Sequence, residues 1–335
     1  MKLPVFVLAI AAGLASVVSA DADPQTAFGP QLQGFAYPYP VKNFGFVSQG
    51  KALTMAYMDV APKGTSNGRT AMLLHGKNFC GATWEGTIDV LTQAGYRVIA
   101  PDQIGFCAST KPHGYQFSFN QLAANTQALL VSVGVECATI IGHSMGGMLA
   151  ARFAISYPRA VEQLILVNPI GLEDWQAEGV PYATIDELYG AELKTSFDSI
   201  KAYQQRFYYN GQWRPEYDRW AGMLAGMYAG PGKNIVALNQ AQTSDMVFTQ
   251  PVVHEFGRIT APTLLLIGSK DRTAPGANRA VKEVAERLGN YAELGHRAAK
   301  AIPDATLVEF PELGHSPQVE APDRFHEALL RGLRE

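Results

Sequence analysis

Cysteine is scarce in this chain: 3 in 335 residues, at positions 80, 107 and 137. None has a partner at metal-ligand spacing, which excludes a cysteine-built zinc site or a disulfide-rich scaffold. Charge is also low, 17% of residues with a net of −3, and no basic block is present. That excludes recognition of nucleic acid through its phosphates. Long apolar runs are missing apart from Val5 to Val18, which is too short to cross a bilayer comfortably. What remains is an ordinary globular composition, 47% hydrophobic, with ample material for one large α/β domain and an inserted subdomain.

The one apolar run has a different meaning. It follows Met1-Lys2 and ends in Val18-Ser19-Ala20 before Asp21, the layout of a secretory signal peptide cleaved near Ala20. The expectation is therefore an exported protein with residues 1–20 removed. In an oxidising compartment Cys80 and Cys107, both in loops after consecutive strands, can pair. The alternative is three separate thiols, mostly buried.

Along the chain, apolar runs alternate with helical spacing. Val41 to Val60 reads as a hairpin about Ser48-Gln49-Gly50-Lys51. Strands follow at 70–74, 96–100, 138–143, 161–167, 263–267 and 305–310. Helices are expected to Ala94, over 120–134 with a glycine stop, over 145–156, and over 322–333. Short buried strands separated by helices predict a mostly parallel sheet with helices on both faces. The stretch between 167 and 263 has no strand pattern, is helical in tendency and is rich in Tyr and Trp. Its length predicts an inserted helical cap over residues 170–258, on a core made of 21–169 and 259–335.

The strand at 138–143 ends in Gly142-His143-Ser144-Met145-Gly146, and a helix follows. A serine in a tight strand-to-helix turn needs small neighbours two residues to either side, because a Cβ there would strike the adjacent strand or helix. A hydroxyl so placed is a nucleophile only with a base in reach, itself oriented by a third group. His315, in Leu313-Gly314-His315-Ser316 after the 305–310 strand, is the expected base. His296 lies in a near-repeat of that sequence but follows no strand. His143 reads as a packing residue pointing away from the serine, and His113, His254 and His326 as surface or loop residues. Asp271, four residues past a strand, is the candidate carboxylate; Asn168 stands where another acid could stand, but an amide cannot carry the charge. Oxyanion donors are expected from the Met145 and Lys77 backbone N–H groups, with the Asn78 amide as a second source.

The His75-Gly76 loop, Asp102-Gln103-Ile104-Gly105-Phe106, Gly142–Gly146, Gly268…Asp271…Pro275 and Gly314-His315-Ser316 come in an order that resembles the α/β-hydrolase superfamily. The resemblance implies that fold, with a nucleophile–acid–histidine set of Ser144, Asp271 and His315 and no metal or organic cofactor. Two positions depart from it: Asn78 stands where proline is frequent, and Cys107 where glycine is common. Serine at 144 argues against the aspartate-nucleophile dehalogenase and epoxide-hydrolase branches. His143 and Met145 resemble the esterase, lipase and lactonase branches. The expected activity is hydrolysis of a small carboxylic ester or lactone with an apolar or aromatic portion, without nucleic acid or a stable membrane span. The alternatives are an aminopeptidase or amidase, favoured if Asp186, Glu187 or Glu216 face the pocket; a carbon–carbon bond hydrolase; and a non-catalytic binding protein.

Overall fold

The computed structural model describes residues 26–334, so the expected export segment lies outside the described residues. Eight strands form one sheet: β1 (Val41–Ser48), β2 (Lys51–Val60), β3 (Thr70–Leu74), β4 (Arg97–Pro101), β5 (Ala138–His143), β6 (Val161–Val167), β7 (Thr263–Gly268) and β8 (Ala305–Phe310). The order is β1-β2-β4-β3-β5-β6-β7-β8. β1 and β2 pair antiparallel about Gln49-Gly50, and β2 runs antiparallel to β4. All pairs from β4 through β8 are parallel, so their carboxyl ends share one edge, where loops can converge.

The helices are α1 (Glu85–Gln93), α2 (Phe119–Ser132), α3 (Met145–Ser156), α4 (Ile185–Glu192), α5 (Phe197–Phe207), α6 (Asp218–Ala229), α7 (Lys233–Thr249), α8 (Lys282–Arg287), α9 (Tyr291–Ala301), α10 (Pro317–Glu320) and α11 (Pro322–Gly332). Central strands are apolar on both sides and alternate between two cores. Ile140, Leu164, Leu166 and Leu265 pack with α2, α3 and α9. Ile141, Ile165, Val167 and Leu266 pack with Ile88 and Leu91 of α1 and Phe325 and Leu329 of α11. Between β6 and β7 the chain forms α4 to α7 and no strand. Most of its aromatics, among them Trp175, Tyr209, Tyr217 and Trp220, are buried in that layer's own packing.

Two details differ from or complete the sequence reading. His326, expected at the surface, is buried, because the apolar stripe of α11 turns it toward α1, where its ring bonds Thr87 Oγ1 at 3.0 Å. Cys80 and Cys107 are joined by a disulfide across 27 residues of chain, while the Cys137 thiol is exposed. The bridge ties the loop after β3 to the loop after β4.

Two predictions follow from these contacts. Closing a loop of this size constrains the unfolded chain, so Cys80→Ser with Cys107→Ser should lower unfolding stability by about 3 kcal/mol. Urea denaturation should show reductant bringing the parent to the variant's midpoint and leaving the variant unmoved. Burial pushes the His326 pKa down from 6.5 to about 4. The unfolded chain therefore binds the extra proton between those values, and stability present above pH 6.5 drains away as pH falls toward 4, by up to about 3 kcal/mol. His326→Gln should flatten that part of the stability–pH curve.

Candidate active site

Ser144 sits between β5 and α3 with φ 56 and ψ −121, a left-handed backbone that costs a side-chain-bearing residue roughly 1–3 kcal/mol. Neighbouring backbone holds it there. Its N–H donates to Val167 O (3.2 Å), and its carbonyl accepts from Gly147 N (2.9 Å) and Ile170 N (3.2 Å). The flanking glycines are required by contact: a Cβ on Gly142 would lie 2.2 Å from Gly146 O, and one on Gly146 would lie 2.2 Å from Leu74 O. Helix and strand thus meet the turn at backbone distance, as its sequence predicts.

Three loops at the carboxyl edge bring their side chains to this point. His315 Nε2 lies 2.8 Å from Ser144 Oγ, and its Nδ1 lies 2.5 Å from Asp271 Oδ2. Asp271 and His315 are fully buried and Ser144 is 3% exposed. Asp271 is oriented in turn. Its Oδ1 accepts from Thr273 N (2.7 Å) and its Oδ2 from Asn168 Nδ2 (3.1 Å). Asn168 also pins the β7 end by accepting from Gly268 N at 2.8 Å. His296, the rival base, is on α9, 66% exposed in its side chain and paired with Glu309.

The His75–Cys80 loop crosses directly over the serine: a Cβ on Gly76 would lie 3.0 Å from Ser144 Cβ. His75 pins the loop, since Gln103 N donates to its Nε2 (3.0 Å) and its Nδ1–H then donates to Gly76 O (2.8 Å). Among the described residues neither Lys77 N nor Met145 N donates to another backbone carbonyl. The Asn78 side-chain amide, the second expected donor, gives one N–H to Tyr208 Oη at 2.9 Å.

The sequence model of the Alpha/beta hydrolase family matches residues 71–328. This chain belongs to that family. A crystal structure of a probable hydrolytic enzyme from Pseudomonas aeruginosa PAO1 is similar at 61% identity and TM-score 0.92, covering 93% of this chain and all (100%) of that one. A 2-hydroxy-6-oxononadienedioate/2-hydroxy-6-oxononatrienedioate hydrolase of Comamonas testosteroni is 27% identical over 295 residues, 84% of this chain and 96% of that protein. An N-acyl homoserine lactone degrading enzyme of known structure is 25% identical with TM-score 0.62, over 87% of this chain and 100% of that one. The protein is thus a hydrolase on an α/β-hydrolase fold.

The helical insertion bears directly on the site. His315 N donates to Tyr208 O (3.1 Å), and the Tyr208 ring centroid is 4.6 Å from that of His315. Lys77 Nζ reaches Glu192 Oε1 at 2.9 Å, and Glu192 also accepts from the Tyr228 hydroxyl. Under the insertion lies a cavity of about 430 Å³ whose lining includes Lys77, Asn78, Tyr203 and Tyr228. Asp186, Glu187 and Glu216 are exposed and do not line it. The acids that do are Glu192, already paired with Lys77, and Asp245.

Two neighbours of the site carry more than their sequence suggests. Asn168 is a partner of Asp271, legible only as a polar residue at the end of a buried strand. His143 is packed as expected but does not point away from the site. Its Nε2–H donates to His315 O (2.8 Å), and burial, reinforced by nearby His315, holds its pKa well below the usual histidine range. Asn168→Ala removes a hydrogen bond to a buried carboxylate and should lower turnover about tenfold or more without loss of fold. Steady-state kinetics beside a thermal melt checks it; unchanged turnover would show that Thr273 alone orients Asp271.

Proposed function

We propose that this protein hydrolyses a carboxylic ester or lactone through an acyl-enzyme on Ser144. The observation carrying this reading is the continuous chain Ser144 Oγ–His315 Nε2 (2.8 Å) and His315 Nδ1–Asp271 Oδ2 (2.5 Å), buried beneath the loop of Lys77, whose N–H donates to no backbone carbonyl among the described residues. Ser144 Oγ attacks the carbonyl carbon as His315 Nε2 takes its proton. Asp271 fixes the Nδ1–H tautomer and faces the imidazolium that forms. Lys77 N–H and Met145 N–H receive the oxyanion. Collapse breaks the carbon–oxygen bond, and His315 returns the proton to the departing alkoxide. Water then attacks the acyl group with His315 again as base, releasing the acid and restoring the serine.

A second reading is supported by the Comamonas testosteroni relative's name. A 6-oxo diacid contains no ester, so hydrolysing it breaks a carbon–carbon bond, with His315 protonating carbon in place of alkoxide oxygen. An aminopeptidase is less well supported, because the three cap acids that would hold an amine lie away from the cavity. Export is part of the proposal. It is supported by the Met1–Ala20 pattern and by the Cys80–Cys107 bridge, which suits an oxidising compartment.

Ser144→Ala should reduce turnover about a thousandfold or more and abolish labelling by a fluorophosphonate probe. Equal labelling of parent and variant would sink the serine mechanism. A panel of short acyl esters, lactones and vinylogous 1,5-diketones separates the two readings. Turnover of the diketone with little ester hydrolysis would select carbon–carbon cleavage.

A further inference from the structure

Four charged side chains line the cavity: Lys77, Glu192, Asp245 and Arg279. Lys77 and Glu192 neutralise each other at 2.9 Å, and the Asp245 carboxylate accepts from the Tyr182 hydroxyl at 3.1 Å. Arg279 is differently placed. It follows Asp271 by eight residues, so the loop that supplies the buried carboxylate also reaches the cavity. Its Nε donates to Pro181 O (3.1 Å), and the guanidinium carbon lies 5.2 Å from the Phe248 ring centroid. These two contacts hold the group against the cavity wall. Its terminal nitrogens have no acceptor among the described residues, and no carboxylate lies within salt-bridge distance of it there.

The acid whose charge acts on Arg279 is Glu187, whose Oε2 is taken by Thr184 N (2.8 Å) and Thr184 Oγ1 (3.0 Å). The backbone also makes room. Gly276 turns through φ 82, and a Cβ there would lie 2.5 Å from Arg279 Nη2. The glycine thus leaves the guanidinium lying across the cavity wall. A planar fork, anchored at Nε, stacked on an aromatic ring and open at its two ends, is built for bidentate recognition of an oxyanion.

We propose that Arg279 is the specificity-determining residue of this cavity and binds a carboxylate carried by the substrate away from the bond that is cut. A carboxylate suits the fork better than phosphate, because Glu192 and Asp245 share the lining and repel a second negative charge carried on the same group. The Ala183, Leu188, Ile200 and Leu224 side chains supply apolar wall for the chain joining the two ends of the substrate. The proposal deepens the ester reading by naming the substrate class, and rests on it only for which bond is broken.

The test uses 4-nitrophenyl hydrogen glutarate against 4-nitrophenyl valerate, with glutarate as a non-reacting probe. Arg279→Gln should lower the anionic-over-neutral ratio of kcat/KM about tenfold or more and weaken glutarate binding by a similar factor. Arg279→Lys, which keeps the charge and loses the fork, should fall between. An unchanged ratio, equal loss on both esters, or failure of glutarate to bind the parent protein would overturn the proposal. If Arg279→Gln does not fold, Arg279→Lys decides, and glutarate affinity equal to the parent's overturns the bidentate site. Calorimetric binding of glutarate needs no turnover. Ser144→Ala that still hydrolyses the valerate ester would therefore end the serine reading while leaving the Arg279 result standing.

Discussion

The backbone of Ser144 is the constraint around which the carboxyl edge is arranged. A residue with φ 56 between a strand and a helix stays there only if its neighbours leave no alternative. Here β5, α3 and β3 approach so closely that Gly142 and Gly146 have no space for a Cβ. The same approach brings Gly76 over the serine, so the loop carrying Lys77 is placed by the contact that strains Ser144. Nucleophile and oxyanion donors are therefore one steric unit in the proposed mechanism. The disulfide and the His75–Gln103 bond hold that unit from behind, at the two loops where Asn78 and Cys107 depart from the family pattern.

From that unit outward, the insertion is part of the site's geometry. Tyr208 accepts from the His315 N–H, lies tilted against its ring and accepts from Asn78, so one cap residue touches both His315 and the loop over the serine. The Lys77–Glu192 pair adds a second tie between the same layers. A cap displacement would disturb the His315 loop and the donor loop together. Substrate selection and placement of the base are mechanically coupled for this reason, and changes in the cap should be felt in turnover as well as in affinity.

The core was legible because its signals are local and periodic. Strands such as 138–143 and 161–167 are largely apolar runs that end where Ser144 and Asn168 take a positive φ. Ser144, His315 and Asp271 were legible because each follows such a strand by a few residues and the turn chemistry is short-range. The sequence shows Asn168 as an amide that cannot carry the acid's charge, and hides its bond to Asp271, which is 103 residues away and in contact only once β6 and β7 pair. His326 was placed at the surface because a single histidine on an amphipathic helix does not reveal which neighbour covers it. The cap was least legible. Its aromatics serve its own packing and the cavity wall at once, and Arg279, on the core side of the insertion boundary, gains its meaning only from Phe248 and Pro181 across that boundary.

The charge balance of the buried site closes the physical argument. Three buried imidazoles, His75, His143 and His315, share this region with two buried carboxylates, Asp102 acting on His75 and Asp271 bonded to His315. A charge on His143 would have no carboxylate partner, and burial works against a charge on His75 as well. Burial keeps His75 and His143 on the neutral side, and each has its tautomer assigned by a backbone partner: a Gln103 N–H donates to one and the His315 carbonyl accepts from the other. That leaves His315 as the imidazole with a carboxylate on one nitrogen and a hydroxyl on the other. In the proposed mechanism the proton released by Ser144 therefore has one favourable destination, and the neutral histidines around it act as spacers that hold loops in place without competing for it.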